Sequence, residues 1–91
     1  MGSKVDKLIA EGLQFHREGL MDDGEVAGNF IFFIARHGEQ KNFDALPLWA
    51  KKEVRKQIEE YKLTRSWKIL SSEGVRDMSE VVDLFIRRIN I

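Results

Sequence analysis

Apolar residues recur at helical spacing along most of the chain, and that spacing predicts the elements. The segment Ser3 to Gly19 reads as an amphipathic helix, because Val5, Leu8, Ile9, Gly12, Leu13, Phe15, His16 and Leu20 share an arc of roughly 160° at 100° per residue. Lys4, Lys7, Glu11, Gln14 and Glu18 take the other side, and Ser3 with Asp6 resembles a capping pair. Gly12 and Gly19 each cost about 1 kcal/mol in a helix interior, so their place near the apolar arc predicts close helix contacts. Asp22, Asp23, Gly24 and Glu25 supply turn and cap chemistry for a second helix from Val26 to His37, with Gly38 as a left-handed stop. This helix is apolar nearly all round: Val26, Phe30, Phe33 and Ile34 form one face, while Ala27, Ile31, Phe32 and Ala35 carry apolar surface to the other. Such a helix is central or covered by a partner.

Glu39 to Phe43 reads as a polar loop, and Asp44 as the cap of a third helix with Pro47 in its first turn. Leu46, Ala50, Val54, Ile58 and Tyr61 then make an apolar stripe, with Lys51, Lys52, Arg55 and Lys56 largely opposite. Residues 63–74 fit either a short helix capped by Ser66 or an extended segment. A final helix starts from Asp77 and Glu80 as cap and N3 partner, and buries Met78, Val81, Val82, Phe85, Ile86 and Ile89. The expected fold is all-α, a small four- to five-helix bundle in one domain spanning 1–91; the alternative is α+β with a short strand near 67–71.

Composition narrows the chemistry. The chain of 91 residues has no cysteine, which excludes disulfides, thiolate nucleophiles and cysteine-based zinc sites. It lacks a long apolar run and the layout of a signal peptide, so the expected setting is cytoplasmic, with no membrane partner. Fifteen Lys plus Arg balance fifteen Asp plus Glu. The zero conceals a polarity: residues 1–45 hold five basic and eight acidic groups, whereas 46–91 hold ten and seven. Such a molecule can steer a complementary partner over about one Debye length, 8 Å at physiological salt.

No catalytic constellation emerges. At 1.5 Å rise per residue, antiparallel packing of the first two helices puts His16 and His37 roughly 13 Å apart along the axis, too far to share a reacting centre. Each lies on an apolar stripe without a carboxylate at helical spacing to orient it, so a structural role is expected. Asp22, Asp23 and Glu25 do not match a calcium-loop pattern, and no histidine pair has i, i+4 spacing, so neither a metal nor another cofactor is expected. A helix-turn-helix laid on the C-terminal half fails, because the start of the final helix offers apolar and acidic residues where bases would be read.

The function expected from these residues is that of a non-enzymatic protein-binding module, in concrete form a small bacterial inhibitor or immunity-type protein that masks a partner. Its candidate contacts are Asp22, Asp23 and Glu25 at the acidic turn, Ile31 and Phe32 on the outer side of the second helix, and the Leu48 and Trp49 edge. A homodimer seam accounts for the same apolar surface. The alternative is a helical nucleic-acid-binding domain using Lys51, Lys52, Arg55, Lys56, Arg65 and Lys68, with Trp67 among them to stack bases. Glu59 and Glu60, four residues after Arg55 and Lys56, read those cations as a paired, solvated face instead, which makes nucleic acid the less favoured partner.

Overall fold

The computed structural model describes residues 4–71 and 74–91. In chain order its elements are α1 (Lys4–Arg17), α2 (Asp23–His37), α3 (Gln40–Asp44), α4 (Leu48–Thr64), β1 (Lys68–Ser71), β2 (Gly74–Asp77) and α5 (Ser79–Arg88). The architecture is a small helical bundle, with one antiparallel hairpin between α4 and α5 pairing Lys68 with Asp77 and Ser71 with Gly74. The expected capping role of Ser3 lies outside the described residues.

α2 is central because it is apolar nearly all round: it packs against α1, α4 and α5. Val26, Ala27, Phe30, Ile31, Ile34 and Ala35 are all completely buried. Ile31 is therefore core and not an outward contact residue, since with three helices around α2 that side has no solvent to face. Burying such a side chain stabilises the fold by about 1.5–3 kcal/mol. Gly12 makes the close helix contact its position predicts: a Cβ there would stand 3.0 Å from Phe30 Cε1 and 3.1 Å from Val26 Cγ2.

Gly19 does something different. It lies past the end of α1 at φ +77, where its amide reaches the His16 carbonyl at 3.1 Å and the Leu20 amide reaches Phe15 at 2.9 Å. That pair is a Schellman stop, which needs a left-handed residue, and nothing approaches within 4 Å of a Cβ built there. Gly38 exchanges roles with it. Its φ of −103 is extended rather than left-handed, and it is glycine for room, since a Cβ would come within 2.8 Å of Ile34 Cα.

Local caps shift the other boundaries. Asp22 Oδ1 accepts from the Glu25 amide at 2.8 Å, and the Asp22 amide donates to Glu25 Oε1 at 3.2 Å. This capping box starts α2 at Asp23, three residues ahead of Val26. Residues 40–44, expected as loop, form α3. The Glu39 amide donates to Asn42 Oδ1 at 2.7 Å, while Asn42 Nδ2 donates to Asp6 at 2.6 Å. Phe43, buried edge-on against Phe85 at 6.2 Å, anchors the turn to the core. Asp44 thus ends α3 and does not cap α4, which follows Pro47 directly.

On α4 the predicted stripe is buried from Ala50 through Tyr61, with Leu46 just ahead of it. Arg65 closes the helix in the left-handed conformation, and the chain goes on as β1 in place of the short helix capped by Ser66. α5 begins one residue later than its sequence suggests, with Met78 at the cap position. Asp77 still serves that end, its carboxylate accepting from both the amide and the hydroxyl of Ser79. At the far end of α5, the Arg88 guanidinium donates to the carbonyls of Ala35 at 2.6 Å and Gly38 at 2.7 Å. Those are C-terminal carbonyls of α2 with no helical donor, so a cation is well placed there.

Candidate protein-binding cleft

α2 and α4 are close-packed where Ala50, Val54 and Ile58 are buried, but beside that contact they leave a cleft of about 770 Å³. From α2 and the turn before it come Met21, Gly24, Glu25, Gly28, Asn29 and Phe32. Gly24, Gly28 and Phe32 are four residues apart, so they follow one ridge of the helix. α4 contributes Glu53, Lys56, Gln57, Glu60, Tyr61 and Thr64, and the chain leaving it adds Ser66 and Trp67 at one end.

The two glycines shape the floor in different ways. A Cβ on Gly28 would lie 3.3 Å from Trp67 Cζ2, so the missing side chain lets the indole approach the α2 backbone. At Gly24 the nearest atoms to a Cβ would be Asp22 Oδ1 at 3.5 Å and Gln57 Nε2 at 3.6 Å, which is ordinary contact. No steric requirement excludes a side chain at Gly24, and its absence leaves the floor open. Gln57 Nε2 donates to the Gly24 carbonyl at 2.8 Å and ties α4 to the first turn of α2.

Tyr61, nearly buried on the same wall, donates its hydroxyl to Asp83 at 2.7 Å. The hydrogen bond to that carboxylate, then burial, hold the phenol above its ordinary range. Glu53 and Glu60 have no ion-pair partner among the described residues, although Lys56 lies between them on the helix. The cleft thus carries three carboxylates, from Glu25, Glu53 and Glu60, against one ammonium.

The sequence candidates divide around it. Glu25 and Phe32 line the cleft, with Phe32 partly buried against the core. Asp22 is engaged in the capping box, and Asp23 lies 2.5 Å from His16 Nε2. Trp49 stacks on His16 at 4.0 Å between ring centroids, and Leu48 is 65% exposed. The Leu48 and Trp49 edge is therefore separate from the cleft. His16, expected without an orienting carboxylate, has one in Asp23, supplied across the turn instead of along the helix. His37, expected on an apolar face, is exposed.

The basic candidates do not converge on one surface. Lys56 lines the cleft beside the carboxylates, whereas Lys52, Arg55, Arg65 and Lys68 are exposed and Lys51 is half-buried. Arg55 donates to the Ile91 carbonyl at 3.1 Å and lies over Phe43, and Arg65 lies over Tyr61. The pairs expected from Arg55 to Glu59 and from Lys56 to Glu60 do not occur among the described residues; the Glu59 carboxylate lies 3.9 Å from Lys62 instead. Trp67 turns inward onto Gly28, away from a base-stacking position.

Sequence reasoning passed over Met21, Gly28 and Glu53, and gave Gly24, Glu60 and Trp67 other roles: a turn, an ion pair with Lys56 and base stacking. Glycines four apart, followed at the same interval by Phe32, were the available signal.

Among the described residues no three His, Asp or Glu side chains converge to hold a metal ion, and no helix is long and apolar enough to cross a membrane. No protein family matches the chain, and neither a curated protein nor a solved structure does.

Proposed function

We propose that the chain is a non-enzymatic protein-binding module that holds a segment of another protein in the cleft between α2 and α4. The observation that carries this reading is the floor left open at Gly24, bordered by Met21 and Phe32 and closed at the Gly28 end by the Trp67 indole. A concave site within the range of roughly 300–1,000 Å³ is what recognition sites offer, and here the apolar side chains of Met21, Phe32 and Trp67 face a largely polar α4 wall. A segment seated there is withdrawn from its other contacts, which is how a small masking or inhibitor-type protein works.

The test fills the cleft from its floor. Gly24→Leu adds a side chain where a Cβ meets only ordinary contacts, and its helical content should match wild type by circular dichroism. A random-peptide display library panned on the wild-type chain is expected to yield peptides whose affinity falls at least about tenfold, or 1.4 kcal/mol, on Gly24→Leu. Failure to recover any such peptide would remove the reading. Light scattering supplies the other decisive arm: a stable dimer of the wild type that dissociates on Gly24→Leu would make a second copy the occupant and overturn the foreign partner.

A further inference from the structure

We infer that the segment held in the cleft is basic, a stretch bearing Lys or Arg side chains spaced among apolar ones. The inference rests on the cleft being a protein-binding site, and it adds the chemistry of the partner. The lining holds three carboxylates against one ammonium. The guanidiniums of Arg36 and Arg65 lie over its Phe32 and Tyr61 rings, so the negative end is the one beside Gly24, where Glu25 follows in sequence and Glu53 Oε1 would be 3.9 Å from a Cβ. A concave site with low-dielectric walls focuses that charge. Glu53 and Glu60 are without ion-pair partners among the described residues, so a cation entering the cleft meets acceptors that need not be released from another bond.

The floor suits the rest of such a side chain. Lys and Arg lay aliphatic stems along apolar surface while the charged head stays at a polar rim, and here Phe32 and Trp67 border the floor while Glu53 and Glu60 stand on the α4 wall. An acidic peptide or a nucleic acid would bring like charge against those carboxylates. The outer side of α4, with Lys52 and Arg55 exposed, repels a basic partner, so the same charge pattern that favours the cleft disfavours the neighbouring surface.

The peptides recovered by panning on wild type, and lost on Gly24→Leu, decide the point. They are expected to be enriched in Lys and Arg over the starting library, and to bind about tenfold more weakly to Glu53→Gln/Glu60→Gln, the sum of two partly exposed charge contacts. Their affinity should fall as salt shortens the Debye length. Panning on Glu53→Lys/Glu60→Lys should shift the selected sequences toward Asp and Glu. Cleft-dependent peptides that are neutral or acidic, or indifferent to the glutamine pair, would overturn the basic partner and leave the binding reading standing. An absence of cleft-dependent peptides would remove both.

Discussion

The two flanks of α2 are built from one helix and differ in how far they are closed. Toward α5 the contact is the more closed: Val82 and Phe85 are buried, Arg88 ties the end of α5 to the Ala35 and Gly38 carbonyls, and the smaller hollow on that side, about 490 Å³, takes only Arg36 from α2. Toward α4 the helices pack as firmly along Ala50, Val54 and Ile58, yet beside them the ridge stays open at Gly24 and is covered at Gly28 only by the Trp67 indole. The opening therefore does not reflect a weak interface. Two side chains are missing from one ridge, and at Gly24 neither backbone conformation nor crowding requires the omission. A flank clasped by Arg88 serves stability, whereas the larger cleft left beside a tight contact is available to something else.

The comparison can be broken first on the α5 side. Phe85→Ala should cost about 3–5 kcal/mol in urea denaturation, a large share of the roughly 5–15 kcal/mol that holds a small domain folded. Arg88→Ala should cost about 2 kcal/mol, because two carbonyls lose charged donors; a loss near zero would mean that water replaces the guanidinium freely. Asp22→Ala, at the cap, should cost about 1 kcal/mol.

On the open side the sign reverses. Gly24→Ala should raise the unfolding free energy measured in urea by a few tenths of a kcal/mol, through helix propensity and a less flexible unfolded chain. A destabilised Gly24→Ala would mean that the glycine is structural after all, and the contrast between flanks would lose its basis.

The smallest effects appear in the pH dependence. The Tyr61 phenol titrates higher in the folded chain than in the unfolded one, so its contribution is whole below about pH 10 and is lost as pH rises through the folded value. Tyr61→Phe should flatten the alkaline limb of a stability profile. Asp77 behaves oppositely. The Ser79 hydroxyl and then the Ser79 amide hold its carboxyl below the usual range, so its contribution is present above about pH 3.9 and disappears as pH falls through the lower folded value. Ser79→Ala should flatten the acid limb.

Much of the fold was legible because burial follows period. The stripe from Leu46 to Tyr61 is buried as its spacing predicts, and the apolar circumference of α2 predicts its central place. The same fact, carried further, would have excluded Ile31 as a contact. α3 was illegible because its anchors are tertiary: Asn42 reaches Asp6, 36 residues away, and Phe43 needs Phe85. The pairing of His16 with Asp23 spans a turn, where helical offsets give no guidance.

The cleft escaped notice for a related reason. Patterns report side chains that are present, and this site is defined by two that are missing, together with a tryptophan brought in by a bend after α4. Its acidic rim also joins Glu25 from the acid-rich half to Glu53 and Glu60 from the basic half, a junction that no division of the chain into halves reveals.

The central place of α2 also bears on the order of events during synthesis. Arg88 meets Ala35 across 53 positions of sequence, and α5 is the last helix described. A growing chain must therefore carry α2 with one apolar side uncovered until α5 has left the ribosome. Contacts of such separation pay their loop-closure entropy before they return any stability. Interrupted translation products ending in the hairpin would be the species most exposed to self-association. A nascent chain stalled before α5 should thus remain protease-sensitive across residues 26–35, and gain protection only once α5 is released.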